Sequence, residues 1–204
     1  VTGNASIGGA LTGLTSLSVS GTTAINANIT TSGTQDYTGA VTLGAAVTLA
    51  TTDSNITFSS SLNSAISARA LTITAGTGTV SFTGAVGGTL ALGATSITAA
   101  SVVHSSTLVG SSTYAITGNA SFGGAVTGVN ALSISGTTSI ATNITTSGTQ
   151  TYTGAMTLTG TGATRTLTGS TVTFSSTLAG GSNSLVVTGN ASIGGALTGL
   201  TSLS

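Results

Sequence analysis

Residues 1–43 read VTGNASIGGALTGLTSLSVSGTTAINANITTSGTQDYTGAVTL, and residues 116–158 read ITGNASFGGAVTGVNALSISGTTSIATNITTSGTQTYTGAMTL. The two copies are identical at 31 of 43 positions. Residues 187–204 repeat residues 1–18 without a change, 186 positions further on. Such self-similarity is typical of repeat architectures, in which each unit buries its apolar face only against its neighbours. The repeats therefore predict a solenoid, and we interpret the chain as a window of a longer array whose long period equals this offset.

A shorter motif recurs inside the long repeat: one bulky residue, three small residues and one aliphatic residue. We call these five-residue segments anchors. Their eight intervals average about 23 residues, which predicts about eight coils of a β-solenoid. Six of the seven aromatic residues begin an anchor, and only Tyr114 does not. The first residues are predicted to stack as one structural core ladder, formed by Ile7, Tyr37, Phe58, Phe82, His104, Phe122, Tyr152, Phe174 and Ile193.

The anchors and the stretches between them alternate apolar residues with Ser or Thr, as half-buried strands do. Because side chains alternate along a strand, Phe82, Gly84 and Val86 are predicted to point inward, and Thr83 and Ala85 outward. No segment shows an apolar stripe at helical spacing. Strands that recur once per coil favour parallel pairing, and crossovers between parallel strands are overwhelmingly right-handed. The predicted fold is all-β, a right-handed parallel β-helix that runs through residues 1–204 as one domain.

The composition argues against most kinds of chemistry. Lys and Arg total 2, Asp and Glu total 2, and there is one His, which gives a formal net charge of zero. A chain without a basic patch is a poor partner for nucleic acid, and one without paired carboxylates lacks a general acid and base. Cys is absent, which excludes disulfides and thiolate zinc sites. We therefore expect no enzyme activity, no cofactor and no metal.

Two further classes are also disfavoured. The mean hydropathy is +0.53, and Val, Ile and Leu recur throughout, which argues against a disordered linker. No apolar run approaches the length that a membrane-spanning helix needs, so no helical membrane insertion is expected.

His104 is the one residue that suggests a catalytic or metal-binding role. It occupies the anchor position that Phe58 and Phe174 fill in a similar sequence context, so we interpret it as a stacking residue. The charged residues stand alone and are predicted to be solvated in turns; they are Asp36, Asp53, Arg69 and Arg165.

Asn-x-Ser/Thr triplets recur along the chain, always with Ala or Ile in the middle. As glycan acceptors, they would lie on surface turns of a secreted protein. The alternative is that Asn suits the corners of a solenoid, where amides stack in ladders, and recurs because the repeat recurs. The candidate glycosylation sites are Asn4, Asn28, Asn55, Asn119, Asn143 and Asn190.

The phrases TTSGTQDYTGAVTLGAAVTL and TTSGTQTYTGAMTL, together with ITFSSSLNSA and VTFSSTLAG, resemble repeat regions of filamentous-haemagglutinin-like bacterial surface proteins. The resemblance covers nearly the whole chain. It implies a right-handed parallel β-helix that folds outside the cell and acts as an adhesin or a fibre. The chain contains neither the secretion domain nor the anchor of such proteins, so the export route is an analogy.

The expected function is a non-enzymatic extracellular structural protein, the β-solenoid shaft of a fibre on the bacterial cell surface. Its expected partner is itself, through end-to-end and lateral association. The alternative is an adhesin whose outward Ser and Thr rows bind a host glycan or receptor. A glycosidase-like enzyme is disfavoured by the missing carboxylates. Pairs such as Thr72 and Thr74 resemble those of ice-binding solenoids, but the uneven anchor intervals argue against evenly spaced rows.

Overall fold

The computed structural model describes residues 1–204. The chain forms 22 strands, most of them short, and no helix long and apolar enough to cross a membrane is present. The strands are β1 (Ala5–Ile7), β2 (Leu11–Leu14), β3 (Leu17–Val19), β4 (Thr23–Ile25), β5 (Ile29–Thr31), β6 (Gln35–Tyr37), β7 (Val41–Leu43), β8 (Val47–Thr51), β9 (Ile56–Phe58), β10 (Leu62–Ser64), β11 (Leu71–Thr74), β12 (Thr79–Phe82), β13 (Thr95–His104), β14 (Leu108–Phe122), β15 (Val126–Ile134), β16 (Thr138–Ile140), β17 (Ile144–Thr146), β18 (Thr149–Tyr152), β19 (Met156–Leu158), β20 (Thr164–Phe174), β21 (Leu178–Ile193) and β22 (Leu197–Leu203).

The strands form three stacks along one axis, and neighbouring strands in a stack are parallel. The first stack begins with β1, β4, β7 and β10, the second with β2, β5, β8 and β11, and the third with β3, β6, β9 and β12. Longer strands such as β13 turn a corner and contribute to both the second and the third stack. The predicted parallel β-helix is therefore confirmed, whereas its right-handed winding stays a prediction.

The chain makes about 10 turns, more than the eight coils predicted from the anchors. At a strand spacing of about 4.8 Å, ten turns rise about 48 Å. The difference arises because two anchor intervals are longer than one turn. Ile7 lies in β1 of the first stack, whereas Tyr37, which begins the next anchor, lies in β6 of the third stack. The interval between Phe122 and Tyr152 likewise leads from the third stack to the second. Each of these intervals advances through five stack positions, whereas one full turn advances through three.

The anchors are corners rather than strands, which corrects the predicted alternation. Phe82 ends β12, and Val86 forms an isolated bridge in the first stack. Both side chains point inward, each from its own stack, so their common direction does not come from alternation along one strand. The residues between them turn the corner, and the middle one has no room for a side chain. A Cβ added at Gly84 would collide with the main chain of Ser60 in the preceding turn.

The corners also accommodate the extra residues of the longer turns. Residues 65–70 separate β10 from β11, and Ile66 in this loop is 87 % exposed. Residues 87–94 form a second loop before β13. The strands that follow these loops stay in register, since Leu71 pairs with Val47 on one side and with Thr95 on the other.

The inward side chains of all three stacks form one hydrophobic core of 42 buried residues. Leu, Ile and Val supply most of them, and the aromatic residues supply the largest. Burial of this apolar surface is the dominant stabilising contribution, because the chain has no disulfide.

Candidate functional site: the ring stack and the asparagine corners

Five rings in the third stack lie face to face along the axis. The centroid distances between successive rings are 5.1, 5.2, 4.5 and 5.3 Å, and no interplanar angle exceeds 13°. Stacked aromatic pairs contribute about 0.5–1.5 kcal/mol each beyond the burial of their area. The stack consists of Tyr37, Phe58, Phe82, His104 and Phe122.

The other predicted ladder residues lie elsewhere. Tyr152 and Phe174 stack in the second stack at 5.8 Å. Ile193 follows Phe174 there but is 45 % exposed, because only one of its sides is covered. Ile7 lies in the first stack and is buried. The predicted single ladder is thus divided among three stacks, and Ile193 continues the second of them in the last described turn.

His104 is buried within the ring stack. Its Nε2 atom lies 2.8 Å from the hydroxyl oxygen of Tyr114, and its Nδ1 atom has no hydrogen-bond partner. Burial lowers the pKa of His104 to about 3, so the imidazole is neutral at physiological pH. A neutral, 1 % exposed ring cannot reach a substrate. Tyr114, which sequence reasoning left unplaced, is the polar partner of this ring.

A second polar cluster in the core was not predicted. The Tyr37 hydroxyl donates to Gln35 Oε1 at 2.9 Å, and Gln35 Nε2 donates to the carbonyl oxygen of Ala50 at 2.8 Å. The second copy repeats the cluster, with Tyr152 donating to Gln150 at 2.8 Å. Both glutamines are fully buried. The signal for this cluster was the Gln-x-Tyr spacing shared by the two copies, which puts both side chains on one face of a strand.

The candidate glycosylation sites lie at corners, and all six residues are exposed. Four of them directly precede a strand, whereas Asn119 and Asn190 follow a positive-φ glycine at the bends within β14 and β21. In five sites, the side-chain oxygen accepts a hydrogen bond of 2.8–2.9 Å from the backbone N–H of a threonine in the next turn. The pairs are Asn4 with Thr22, Asn28 with Thr48, Asn55 with Thr79, Asn119 with Thr137, and Asn143 with Thr166.

Asn190 lies at the same kind of corner but has no turn stacked on it. The other five asparagines join successive turns of the solenoid. Their glycosylation stays a prediction.

The four charged side chains are scattered. Asp36 lies within β6 rather than in a turn and accepts a hydrogen bond of 2.9 Å from the Thr34 hydroxyl. Arg165 lies in β20 and donates to the carbonyl oxygen of Thr159 at 2.7 Å. Both positions differ from the predicted turns.

The other two charged side chains lie in turns, as the sequence indicates. Asp53 has a φ of 54° and accepts a hydrogen bond from the backbone N–H of Thr77 at 2.9 Å. Arg69 lies near the end of the loop before β11. No three His, Cys, Asp or Glu side chains lie close enough together to hold a metal ion.

An outward row of hydroxyl groups follows the second stack. Its members lie in successive turns and are all exposed. The members occupy equivalent positions of the strand register although the anchor intervals are uneven, because the extra residues lie in the corners. Whether the row is flat and evenly spaced stays a prediction. The row consists of Thr74, Thr98, Thr117, Ser135, Thr153 and Ser175.

Comparison of this chain with protein-family models, curated proteins and solved structures finds no match.

Proposed function

We propose that this chain is a non-enzymatic segment of the shaft of an extracellular fibre on a bacterial cell surface, of the filamentous-haemagglutinin-like kind. The observation that carries the proposal is the unbroken run of about 10 parallel turns around one core. Its partners are further copies of the same fold, arranged end to end and side by side.

The geometry suits a load-bearing rod. The main-chain hydrogen bonds between turns run along the axis, and the core continues through all three stacks. Bending the rod requires these bonds to lengthen on one side and the ring stack to open, so the chain resists bending along its whole length. A surface with two Asp and two Arg side chains offers little charge repulsion to a neighbouring rod.

Immunogold electron microscopy of the native cells tests the shaft role. Antibodies raised against the folded chain should label surface filaments along their length. Labelling confined to filament tips, or found only inside the cell, would contradict the proposal. A control serum against the unfolded chain should label weakly, because the strands are paired in the shaft.

The second candidate function is an adhesin, and the outward hydroxyl row of the second stack favours it. A row of exposed hydroxyl groups at a spacing of about 4.8 Å can offer repeated hydrogen bonds to a glycan. A glycan array tests the idea: saturable binding should be lost when Thr98 and Thr117 are replaced by Ala. The matched control is Thr157→Ala, an exposed threonine on the third stack. A pure shaft shows no saturable binding to any glycan.

A further inference from the structure

The two long copies of the repeat begin on different stacks of the solenoid. Ile7 lies in the first stack, whereas Phe122, the equivalent residue 115 positions later, lies in the third. Tyr37 lies in the third stack and its equivalent Tyr152 in the second. The 115 residues make five full turns and two further stack positions, which is not a whole number of turns. The same sequence therefore folds onto different stacks within one chain.

The second turn of each copy shows why the stacks are interchangeable. Residues 20–37 lie on residues 1–19, and residues 135–152 lie on residues 116–134 in the same way. The two upper layers are identical at 14 of 18 positions, and none of the four positions that differ is buried in either copy. Both upper layers therefore present the same buried side chains to the layer below.

The lower layers differ in sequence, yet the same upper residues pack on both. Ile25 lies on Ile7 in the first copy, and Ile140 lies on Phe122 in the second. In each inward pair the upper residue has the same type in both copies, so residues 116–134 offer residues 20–37 contacts that the chain already contains. The other pairs are Thr23 on Ala5 and Thr138 on Ala120, Ile29 on Leu11 and Ile144 on Val126, Gln35 on Leu17 and Gln150 on Leu132, and Tyr37 on Val19 and Tyr152 on Ile134.

We propose that residues 20–134 are a length module of the solenoid, which can occur once more in the chain without interrupting the core. A chain with a second occurrence contains only one new contact between layers, that of its residues 20–37 on residues 116–134 of the first occurrence. Because the stability of a repeat array is roughly a sum over units and neighbouring contacts, the added turns do not weaken the rod. At about 4.8 Å per turn, the rod becomes about 27 Å longer.

The module also turns the outer surface of the rod. Thr38 is exposed on the third stack, and its equivalent Thr153 is exposed on the second. Each added module moves everything after it back by one stack, so successive modules present the same outward hydroxyl groups on all three faces. Neighbouring rods can then pack against equivalent surfaces from every side. This use of the module rests on the proposed shaft function, whereas the joining of the turns does not.

A disulfide at the new contact tests the module in a variant that adds to the full chain and removes nothing. In this module variant, residues 1–134 are followed directly by residues 20–204. Ser121 pairs with Ser139 in the chain, so Ser121 of the first occurrence should pair with Ala24 of the second. Paired strands lie about 4.8 Å apart, within the range that a disulfide spans. Since the chain has no cysteine, Ser121→Cys and Ala24→Cys at these two places should form an intramolecular disulfide as completely as Ser121→Cys/Ser139→Cys does in the unmodified chain.

The matched control for the disulfide lies one turn further along the same stack. Thr42 pairs with Ala24, so Ser121→Cys of the first occurrence and Thr42→Cys of the second should cross-link at least tenfold less. Small-angle X-ray scattering of the module variant should show a longest dimension about 27 Å greater than that of the unmodified chain.

A slipped variant shows whether the junction requires the repeat register or accepts any insertion. It lacks Ile134 of the first occurrence, which is buried, so Ser20 takes the inward position and the corner loses one residue. Thermolysin should cut the slipped variant at the junction at least tenfold faster than the module variant. A module variant that does not fold, does not form the disulfide between residues 121 and 24, or is cut as fast as the slipped variant would overturn the proposal. These results do not depend on where the chain occurs on a cell, so a failure of the shaft role is recognised separately, by labelling of the native filaments.

Discussion

His104 and Tyr114 are joined inside the core by a contact of 2.8 Å between the imidazole Nε2 and the phenol oxygen. Both residues are buried, the histidine in the third stack and the tyrosine in the second, two stack positions further along the chain. The same imidazole stacks between Phe82 and Phe122. One buried residue therefore belongs both to the aromatic stack and to a polar pair that links two stacks.

Acid should destabilise the fold through this histidine. Burial lowers the pKa of His104 to about 3 in the folded chain, whereas the ordinary value of 6.5 applies when the chain is unfolded. Between these pH values the unfolded chain binds a proton that the folded chain does not, so stability is lost as the pH falls below 6.5. The free energy of unfolding should drop by about 2 kcal/mol between pH 8 and pH 5. Urea denaturation at a series of pH values measures it.

The control for this prediction is the double variant His104→Phe/Tyr114→Phe. It keeps the stack and removes both polar atoms, so its stability should be nearly constant between pH 8 and pH 5. His104→Phe alone leaves the Tyr114 hydroxyl buried without a partner, at a cost of about 1–3 kcal/mol. Acid sensitivity that persists unchanged in the double variant would contradict the role assigned to His104.

Two neighbouring positions at the end of β12 should respond very differently to a charge. Phe82 is 1 % exposed, whereas Thr83 is exposed. Phe82→Asp puts an unpaired charge into the ring stack and should cost about 4 kcal/mol or prevent folding. Thr83→Asp should change the stability by less than about 0.5 kcal/mol. Thermal unfolding followed by circular dichroism compares the two, and equal losses would show that the faces are assigned wrongly.

The buried glutamine of β6 should contribute strongly to the free energy of unfolding. Gln35→Ala leaves the Tyr37 hydroxyl and the Ala50 carbonyl oxygen without their partner and should cost about 2–3 kcal/mol. The matched control is Asp36→Thr at the adjacent position, a change that the second copy already carries, and it should be nearly neutral. Chemical denaturation of the two variants measures the difference. A neutral Gln35→Ala variant would mean that the cluster does not stabilise the core.

The asparagine corners offer a comparison between two exposed asparagines of the first copy and its repeat. Asn119 accepts a hydrogen bond from the backbone N–H of Thr137, whereas Asn26 is exposed and is replaced by Ala141 in the second copy. Asn119→Ala should therefore cost about 1 kcal/mol, and Asn26→Ala almost nothing. Urea denaturation of the two variants measures these costs. If the two substitutions cost the same, the asparagines serve only as turn residues within their own coil.

Much of the fold could be predicted because the apolar residues repeat. The anchors correctly indicate a parallel solenoid and identify residues such as Phe58 and Phe82 as inward. The number of turns could not be obtained by counting anchors. An anchor marks a corner between two stacks, and successive anchors need not lie at the same corner. Ile7 and Tyr37 both begin anchors, yet four strands lie between them, whereas only two lie between Tyr37 and Phe58.

The polar interior was harder to predict than the apolar one. Glutamine is usually a surface residue, so the sequence does not indicate that Gln35 and Gln150 are buried. Their burial depends on main-chain carbonyl groups that only the folded turns supply. The partner of His104 was missed because Tyr114 precedes no small-residue corner and so did not fit the anchor pattern. Both omissions come from hydrogen bonds between turns, which leave little trace in one sequence.

Cryo-electron microscopy of filaments isolated from the native cell surface tests the shaft proposal most directly. The account predicts a continuous rod with a layer repeat of about 4.8 Å and three strands per turn. The side-chain density of this chain, including the five-ring stack, should be traceable along the body of the rod. Filaments whose body is built from another fold, with this chain absent or present only at the tip, would contradict the account.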